Sequence, residues 1–358
     1  MLDLGLGSAQ HVLVFAARIF AAAVLLLGAG SAAAQGAAPV RDAAERSTMY
    51  LRLDNDAFAG SDRGYTNGIQ VGFTSPTVEG FQEAQLPPRL RSLNRRLAWL
   101  QPRGFEDYNM TLSIGQGMFT PEESWLSEPN SLDRPYAGVL AAGVTYNGRN
   151  AQAMRSTTLN VGLVGPSAVA EQMQDFMHGL NGSKEFRGWD HQLSDEAVFR
   201  ILHQRLRKWN LADRARKSDA IFHYGGSVGN LTTFANAGVE VRFGRALPDN
   251  FGSAPTLPVA ENTAPTRISY STGRSSLHGY VALDARYVLH DITLDGNTWR
   301  DSPSVVREAL VADLGVGFAL YWQGWKVTFA RYLRTKEFEG QSADTQLGSI
   351  TIRRDIAG

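Results

Sequence analysis

Asp313-Leu314-Gly315-Val316-Gly317-Phe318-Ala319-Leu320-Tyr321-Trp322-Gln323-Gly324-Trp325-Lys326-Val327-Thr328-Phe329-Ala330 is the stretch that decides the fold. Leu314, Val316, Phe318, Leu320 and Trp322 alternate with Asp313, Gly315, Gly317 and Tyr321. After the tight turn at Gln323-Gly324, Trp325, Val327 and Phe329 alternate with Lys326, Thr328 and Ala330. Period two marks strands with one apolar face. The same alternation recurs at 68–75 (Ile69, Val71, Phe73), 157–164 (Leu159, Val161, Leu163) and 238–244 (Val239, Val241, Phe243).

A soluble sandwich alternates in the same way and is the commoner architecture. Three features favour an all-β transmembrane barrel. The polar faces are rich in glycine and charge, as a wet or crowded lumen is. Aromatics gather at strand ends (Tyr321, Trp322, Trp325), where interface girdles sit. Candidate strands reach the ten or so residues needed to cross a bilayer at a tilt. About twelve strands are expected, near 47–55, 66–75, 109–116, 136–147, 155–165, 196–208, 218–229, 231–243, 277–289, 308–322, 325–334 and 345–353.

Composition narrows the class further. Residues 19–30 form an apolar core followed by Ser31-Ala32-Ala33-Ala34-Gln35, which reads as a signal peptide over 1–34 cleaved after Ala34. The remainder, 35–358, is expected to be one barrel domain. Thirty-five basic residues balance thirty-five acidic ones, so no global field favours nucleic acid. The absence of cysteine excludes disulfides and thiolate metal sites. With the N-terminus in the periplasm, the connections 56–65, 117–135 and 166–195 face outward, and these carry the chemically rich segments. Two inward connections, 76–108 and 244–276, are longer than usual periplasmic turns, and the first contains an Arg-rich amphipathic stretch at 89–103.

The 53–68 segment packs Asp54, Asn55, Asp56, Asp62, Thr66 and Asn67 around one turn. Oxygen-rich loops suit a hard cation such as Ca²⁺, and Asn-Asp and Asn-Gly are also ordinary turn formers. Downstream, Gly165-Pro166-Ser167 opens a helix over 167–180, with Ser167 as N-cap and Gly182 as stop. Val169, Met173, Phe176, Met177 and Leu180 make its apolar stripe. Glu171, Gln174, Asp175 and His178 make the opposite face. His178 has the side-chain type of a general base near neutral pH; taken by itself, the helix favours a solvated surface histidine. No G-x-S-x-G elbow or H-E-x-x-H pair occurs, so serine hydrolase and zinc protease readings have no local motif.

Asn55-Asp56, Asp62-Arg63-Gly64-Tyr65-Thr66-Asn67-Gly68, Asp133-Arg134-Pro135-Tyr136-Ala137-Gly138, Gly165-Pro166, His178, Gly188-Trp189-Asp190-x-Gln192-Leu193 and Gly229-Asn230 form an ordered series. In order and spacing it resembles the outer-membrane lipid A 3′-O-deacylase (LpxR-type) family over nearly all of 35–358. The resemblance implies a twelve-stranded integral barrel of the bacterial outer membrane, with a short helix in an extracellular loop and its site facing the outer leaflet. It implies a Ca²⁺-dependent ester hydrolase that removes the 3′-linked acyloxyacyl chain of lipid A, the lipid anchor of lipopolysaccharide. Carried over by motif position, it implies catalytic roles for His178, Asn55, Asp56 and Thr66. Asp56 is then the expected metal ligand, with Arg134 and Lys184 as candidate substrate contacts. A non-enzymatic channel or structural barrel and an outer-membrane phospholipase are the rival functions.

Overall fold

The computed structural model describes residues 46–55, 64–81, 88–181, 186–211, 218–245, 247–253 and 275–356, with 64–66, 176–181 and 245 described by backbone alone. The expected signal segment, Asp56 and Lys184 lie outside the described residues.

Twelve antiparallel strands close on themselves: β1 Ser47–Asn55, β2 Gly64–Thr74, β3 Asp107–Thr120, β4 Ala137–Arg149, β5 Ala153–Val164, β6 Glu196–Asn210, β7 Ser218–Val228, β8 Thr232–Arg245, β9 Ser276–Asp291, β10 Leu310–Trp322, β11 Trp325–Arg334 and β12 Thr345–Ile356. Each strand pairs with its sequence neighbours, and β1 pairs with β12 from Ser47↔Ile356 to Asn55↔Gly348. Closure removes sheet edges, so every strand has hydrogen-bonding partners on both sides, as hydrocarbon requires. The sandwich is thereby excluded. At Gln323-Gly324 both residues adopt positive φ (46° and 78°), the two-residue turn whose twist matches a hairpin.

Register fixes which side chains face outward. Leu51 and Leu53 pair with Val71 and Ile69, and with Ile352 and Ile350. Val316 pairs with Val281 and Arg331, Phe318 with Gly279 and Phe329, and Leu320 with Leu277 and Val327, so Arg331 is the charged member of this outward face. The result is a lipid-facing apolar belt. Trp322 and Trp325 stand on it at one end. Tyr321 was expected in that girdle but is inward, buried, and accepts a hydrogen bond from Asn250 Nδ2 at 3.0 Å. Period two puts it opposite Trp322.

The lumen is crowded rather than wet. At the end bearing the Gln323-Gly324 turn, Phe251 from the β8–β9 connection packs on Met154, Leu206 and Ile221, with Arg149 and Lys208 over its ring. Midway, His223 meets Asp284 at 2.7 Å, and Asp313 bridges Arg286 (2.6 Å) and Arg334 (2.7 Å). At the opposite mouth Arg134 pairs with Glu337 at 3.3 Å. Charges this far from water persist only when paired. The inward register carries Asp54, Asp219, Glu240, Asp284 and Asp313, whose carboxylates would be costly on the lipid face.

Two helices lie outside the wall. The Arg-rich stretch forms α1, Pro88–Arg96, and Leu90 and Leu100 of this segment pack on Tyr108, Met110, Val144 and Tyr146. The other is α2, Ala170–Asn181. A single helical turn, α3 Ile292–Asp295, caps the lumen after β9.

Candidate functional site

The connections 56–63, 121–136, 165–195, 229–231, 292–309 and 335–344 share one end of the barrel. At its rim, Asn55 pairs with Asn67, Asn67 with Met118, and Met118 with Gly138. These four positions form one outward row across β1 to β4, parallel to the row containing Leu53 and Ile69. Strands lie about 4.8 Å apart, so the row spans roughly 14 Å. The ladder slips between Tyr65 and Asn67, leaving Thr66 as the unpaired residue of a β-bulge. Bulges commonly re-aim a side chain beside a functional site.

The Gly138 end of this row lies beneath α2. A Cβ on Gly138 would meet Ala170 Cβ at 2.5 Å, and Gln116 Nε2, one outward row away, donates to the Ala168 carbonyl. Only a glycine lets the helix approach the wall so closely. The segment enters through Gly165, at φ 112° and hydrogen-bonded to Gly138 O at 2.9 Å, and then a 3₁₀ turn, Pro166–Ala168. Val169 takes φ 53° and separates that turn from α2. The helix was expected to start at 167 with Ser167 as its cap. Instead the backbone N–H and hydroxyl of Ser167 donate to Asp195 at 2.8 and 2.7 Å, tying the two ends of the connection together.

A second clamp sits on the far side of α2. Trp189 is buried, donates Nε1–H to Gln174 Oε1 at 2.7 Å, and rests 5.0 Å from the ring of Tyr136. Tyr136 donates to the Ser124 carbonyl at 3.0 Å, and burial pushes its phenol up to about 12. Met118, Tyr136, Ala170 and Trp189 thus form one core, with Met173 and Phe186 against it. Gln174 was expected on the solvated face and is instead buried, because the indole N–H needs an acceptor there. Period counting along one helix could not supply that partner. His178 follows Gln174 by one turn of α2; its side chain is outside the described residues. Glu171 on the first turn is pushed above the usual carboxylate range by burial and by the neighbouring Asp175 and Asp190 charges.

Arg134, a candidate substrate contact by sequence, belongs to the lumen mouth. It is 2% exposed, its guanidinium lies over the Phe119 ring at 5.0 Å, and it donates to Glu337 and Thr293 at 3.3 Å each. Asp133 accepts from the backbone N–H groups of Glu122 and Arg134 at 2.7 Å each. The Asp133-Arg134 pair therefore ties three connections together and does not stand on the outward row. Burial pushes the Glu337 carboxyl up, but Arg334 and Arg134 outweigh burial and hold it below its usual range.

Among the described residues no group of three or more His, Asp or Glu is placed to hold a metal ion. Asp54 is inward and bound to Arg52 at 2.8 Å. Asn55 and Asn67 bring amide oxygens, a donor type calcium takes, to the outward row. The rest of the expected donor set, Asp56 above all, lies outside the described residues. Beneath the mouth is a cavity of about 150 Å³ lined by Phe119, Phe234, Arg200 and Asp291 among others, on the lumen side of the wall and away from the row.

The family model described as outer membrane protein LpxR matches residues 19–356. The chain belongs to this family. Its fold is similar to that of LpxR from Salmonella typhimurium, with a TM-score of 0.69 at 16% identity, covering 86% of this chain and 100% of that one. The β-domain of the Bordetella autotransporter BrkA aligns at a TM-score of 0.42 and 10% identity, over 86% of this chain and 97% of that one. No curated protein matches. Membership in the LpxR family and the closed barrel make this an integral outer-membrane protein. In this member, the Trp189 and Tyr136 motif residues hold α2 on the wall, and Arg134 ties the connections at the mouth together.

Proposed function

We propose that the chain is a calcium-dependent lipid A 3′-O-deacylase working from the lipid-facing side of its wall, at the end that faces the outer leaflet. The observation that carries this reading is the outward row Asn55–Asn67–Met118–Gly138 with α2 packed on its Gly138 end. A substrate dissolved in the leaflet reaches such a row laterally, without entering the barrel.

In the reaction, His178 takes a proton from water as the water oxygen attacks the acyl carbonyl carbon. The ester C–O bond then breaks, the acyl chain leaves as a carboxylic acid, and the imidazolium returns its proton to the sugar oxygen. The Asn55 amide and the Thr66 hydroxyl donate hydrogen bonds to the developing oxyanion. Calcium bound by Asp56 and oxygens of its loop would supply further polarisation of the carbonyl. Lys184 is the remaining candidate headgroup contact, since Arg134 is engaged by Glu337.

The channel rival fits poorly, because side chains cross the lumen at three levels. The deciding experiment is mass spectrometry of lipid A from cells expressing the protein, with and without chelator. Wild type should lose the 3′-linked acyloxyacyl chain only when calcium is present. His178→Ala should cost at least about a hundredfold in rate while the barrel still shows its heat-dependent gel shift. Free fatty acid and lysophospholipid with intact lipid A would establish a phospholipase instead. Unchanged lipids of both kinds would leave a non-enzymatic barrel.

A further inference from the structure

At the end opposite the proposed site, the outside of the wall carries a second constellation that the deacylase reading does not use. Residues 88–105 contain Arg89, Arg91, Arg95, Arg96 and Arg103 and no acidic residue. The segment buries Leu90, Asn94 and Leu100 against outward residues of β3 and β4, and Leu159 and Ile201 of β5 and β6 join the same cluster. Asn94 Nδ2 donates to Phe81 O at 2.8 Å, and Tyr146 donates to Asn94 Oδ1 at 2.9 Å, so α1 is fixed to the barrel. Arg89, Arg95 and Arg96 are left exposed on its other face.

The wall continues this charge. Phe105 lies under the Arg155 guanidinium at 5.7 Å, Arg155 pairs across the ladder with Arg205, and Arg207 follows on the same outward face. Arg205 and Arg207 are exposed, and no carboxylate among the described residues is within ion-pair distance of either or of α1's arginines. The strand carboxylates Asp107 and Asp219 sit on the inward register, and Glu106, exposed next to Phe105, is the acidic residue that adjoins the cluster. Trp99 and Trp209, 65% and 51% exposed, flank the cluster. Exposed indoles beside cations mark the boundary between hydrocarbon and headgroups. Met110 under α1 and Met118 under α2 are eight residues apart on β3, about 26 Å along the strand. The two helices thus lie toward opposite ends of the barrel.

We propose that α1 with Arg155, Arg205 and Arg207 is a binding site for the phosphate headgroups of anionic phospholipids in the leaflet opposite the deacylase site. Guanidinium groups in a fixed array match phosphate in geometry and charge. A rigidly docked helix loses little freedom when lipids bind, whereas a disordered basic segment would have to be ordered first. The cluster holds an annulus of acidic lipid around one sector of the barrel, from β3 to β6. Only the naming of the leaflet rests on the orientation proposed above.

The test is native mass spectrometry of the intact barrel in detergent, titrated with phosphatidylglycerol, phosphatidylcholine of the same chains, and lipid A. Phosphatidylglycerol should be retained over phosphatidylcholine. Either Arg95→Gln/Arg96→Gln or Arg205→Gln/Arg207→Gln should weaken its retention about thirtyfold, as expected for two lost headgroup charges. Salt at about 0.5 M should erase the preference. Lipid A binding should be unchanged in both variants. Equal retention of the two phospholipids, or wild-type retention in the β6 variant with its heat-dependent gel shift intact, would overturn the proposal. Loss of lipid A in parallel with phosphatidylglycerol would overturn the assignment to a phospholipid leaflet. None of these readouts requires the barrel to be enzymatically active.

Discussion

Replacing Gly138 by alanine should separate the position of α2 from the stability of the barrel. The added methyl would lie 2.5 Å from Ala170 Cβ, where ordinary contact begins at 3.4 Å and extends to 4 Å. The shortfall is therefore about 1 Å. Its other neighbours, Ala168 Cβ at 3.4 Å and Gly165 O at 3.5 Å, leave no sideways escape. The strand cannot yield, because Gly138 is paired with Met118 inside a closed ladder. The start of α2 must yield instead, at a cost of about 1–3 kcal/mol for overpacking. A misplacement of about 1 Å at a catalytic group can cost a hundredfold in rate. Lipid A deacylation by Gly138→Ala should accordingly fall one to two orders of magnitude, with the heat-dependent gel shift retained. The double variant Gly138→Ala/Ala170→Gly removes the opposing methyl and should recover most of the lost rate. Wild-type turnover in the single variant, or a loss that Ala170→Gly does not relieve, would refute the claim that this contact positions the site.

Trp189→Phe keeps most of the ring but leaves the buried Gln174 oxygen without its donor, costing about 1–3 kcal/mol locally. Limited proteolysis should then cut within 165–195 while the strands remain protected, and deacylation should drop. Arg134→Ala leaves Glu337 with Arg334 as its remaining ion-pair partner and removes the bonds from Arg134 to Glu337 and Thr293. Urea unfolding should register a loss of up to about 3–5 kcal/mol, and wild-type stability would show that the mouth pair is idle. Because the folded Glu337 carboxyl is held below its usual range, its contribution is fully present above the unfolded value and fades as pH falls through the folded one. Acid unfolding midpoints compared with Glu337→Gln should show the wild type losing its advantage only on the acidic side.

The strands were legible because a bilayer outside and a polar lumen inside impose opposite solvents on alternate residues. Ile69, Val71 and Phe73, or Val316, Phe318 and Leu320, marked one apolar face, and closure of the barrel made that face the belt. Every expected strand is present, with β3 longer at both ends than its pattern indicated, since Asp107, Tyr108 and residues 117–120 break the simple alternation. The helix carrying His178 was legible as a helix, but its first turn was displaced by the bond from Ser167 to Asp195, a partner 28 positions away. The same remoteness hid the clamp: nothing in 170–181 says that Gln174 will meet an indole from 189. Arg134, a candidate substrate contact by motif position, is engaged at the lumen mouth by partners that its own segment does not name. Its partners Glu337 and Thr293 are contributed by connections far along the chain.

The sequence by itself determined the strand number, the outward belt, the polar inward face and the family, because these depend on local periodicity and on motifs in order. The tertiary structure alone decided which motif residues share a surface. Closing the barrel put Asn55, Asn67, Met118 and Gly138 in one row and turned Arg134 inward. Register between strands is a property of pairs, and the folding-back of a connection depends on the wall that receives it. Neither is written in the spacing of one segment.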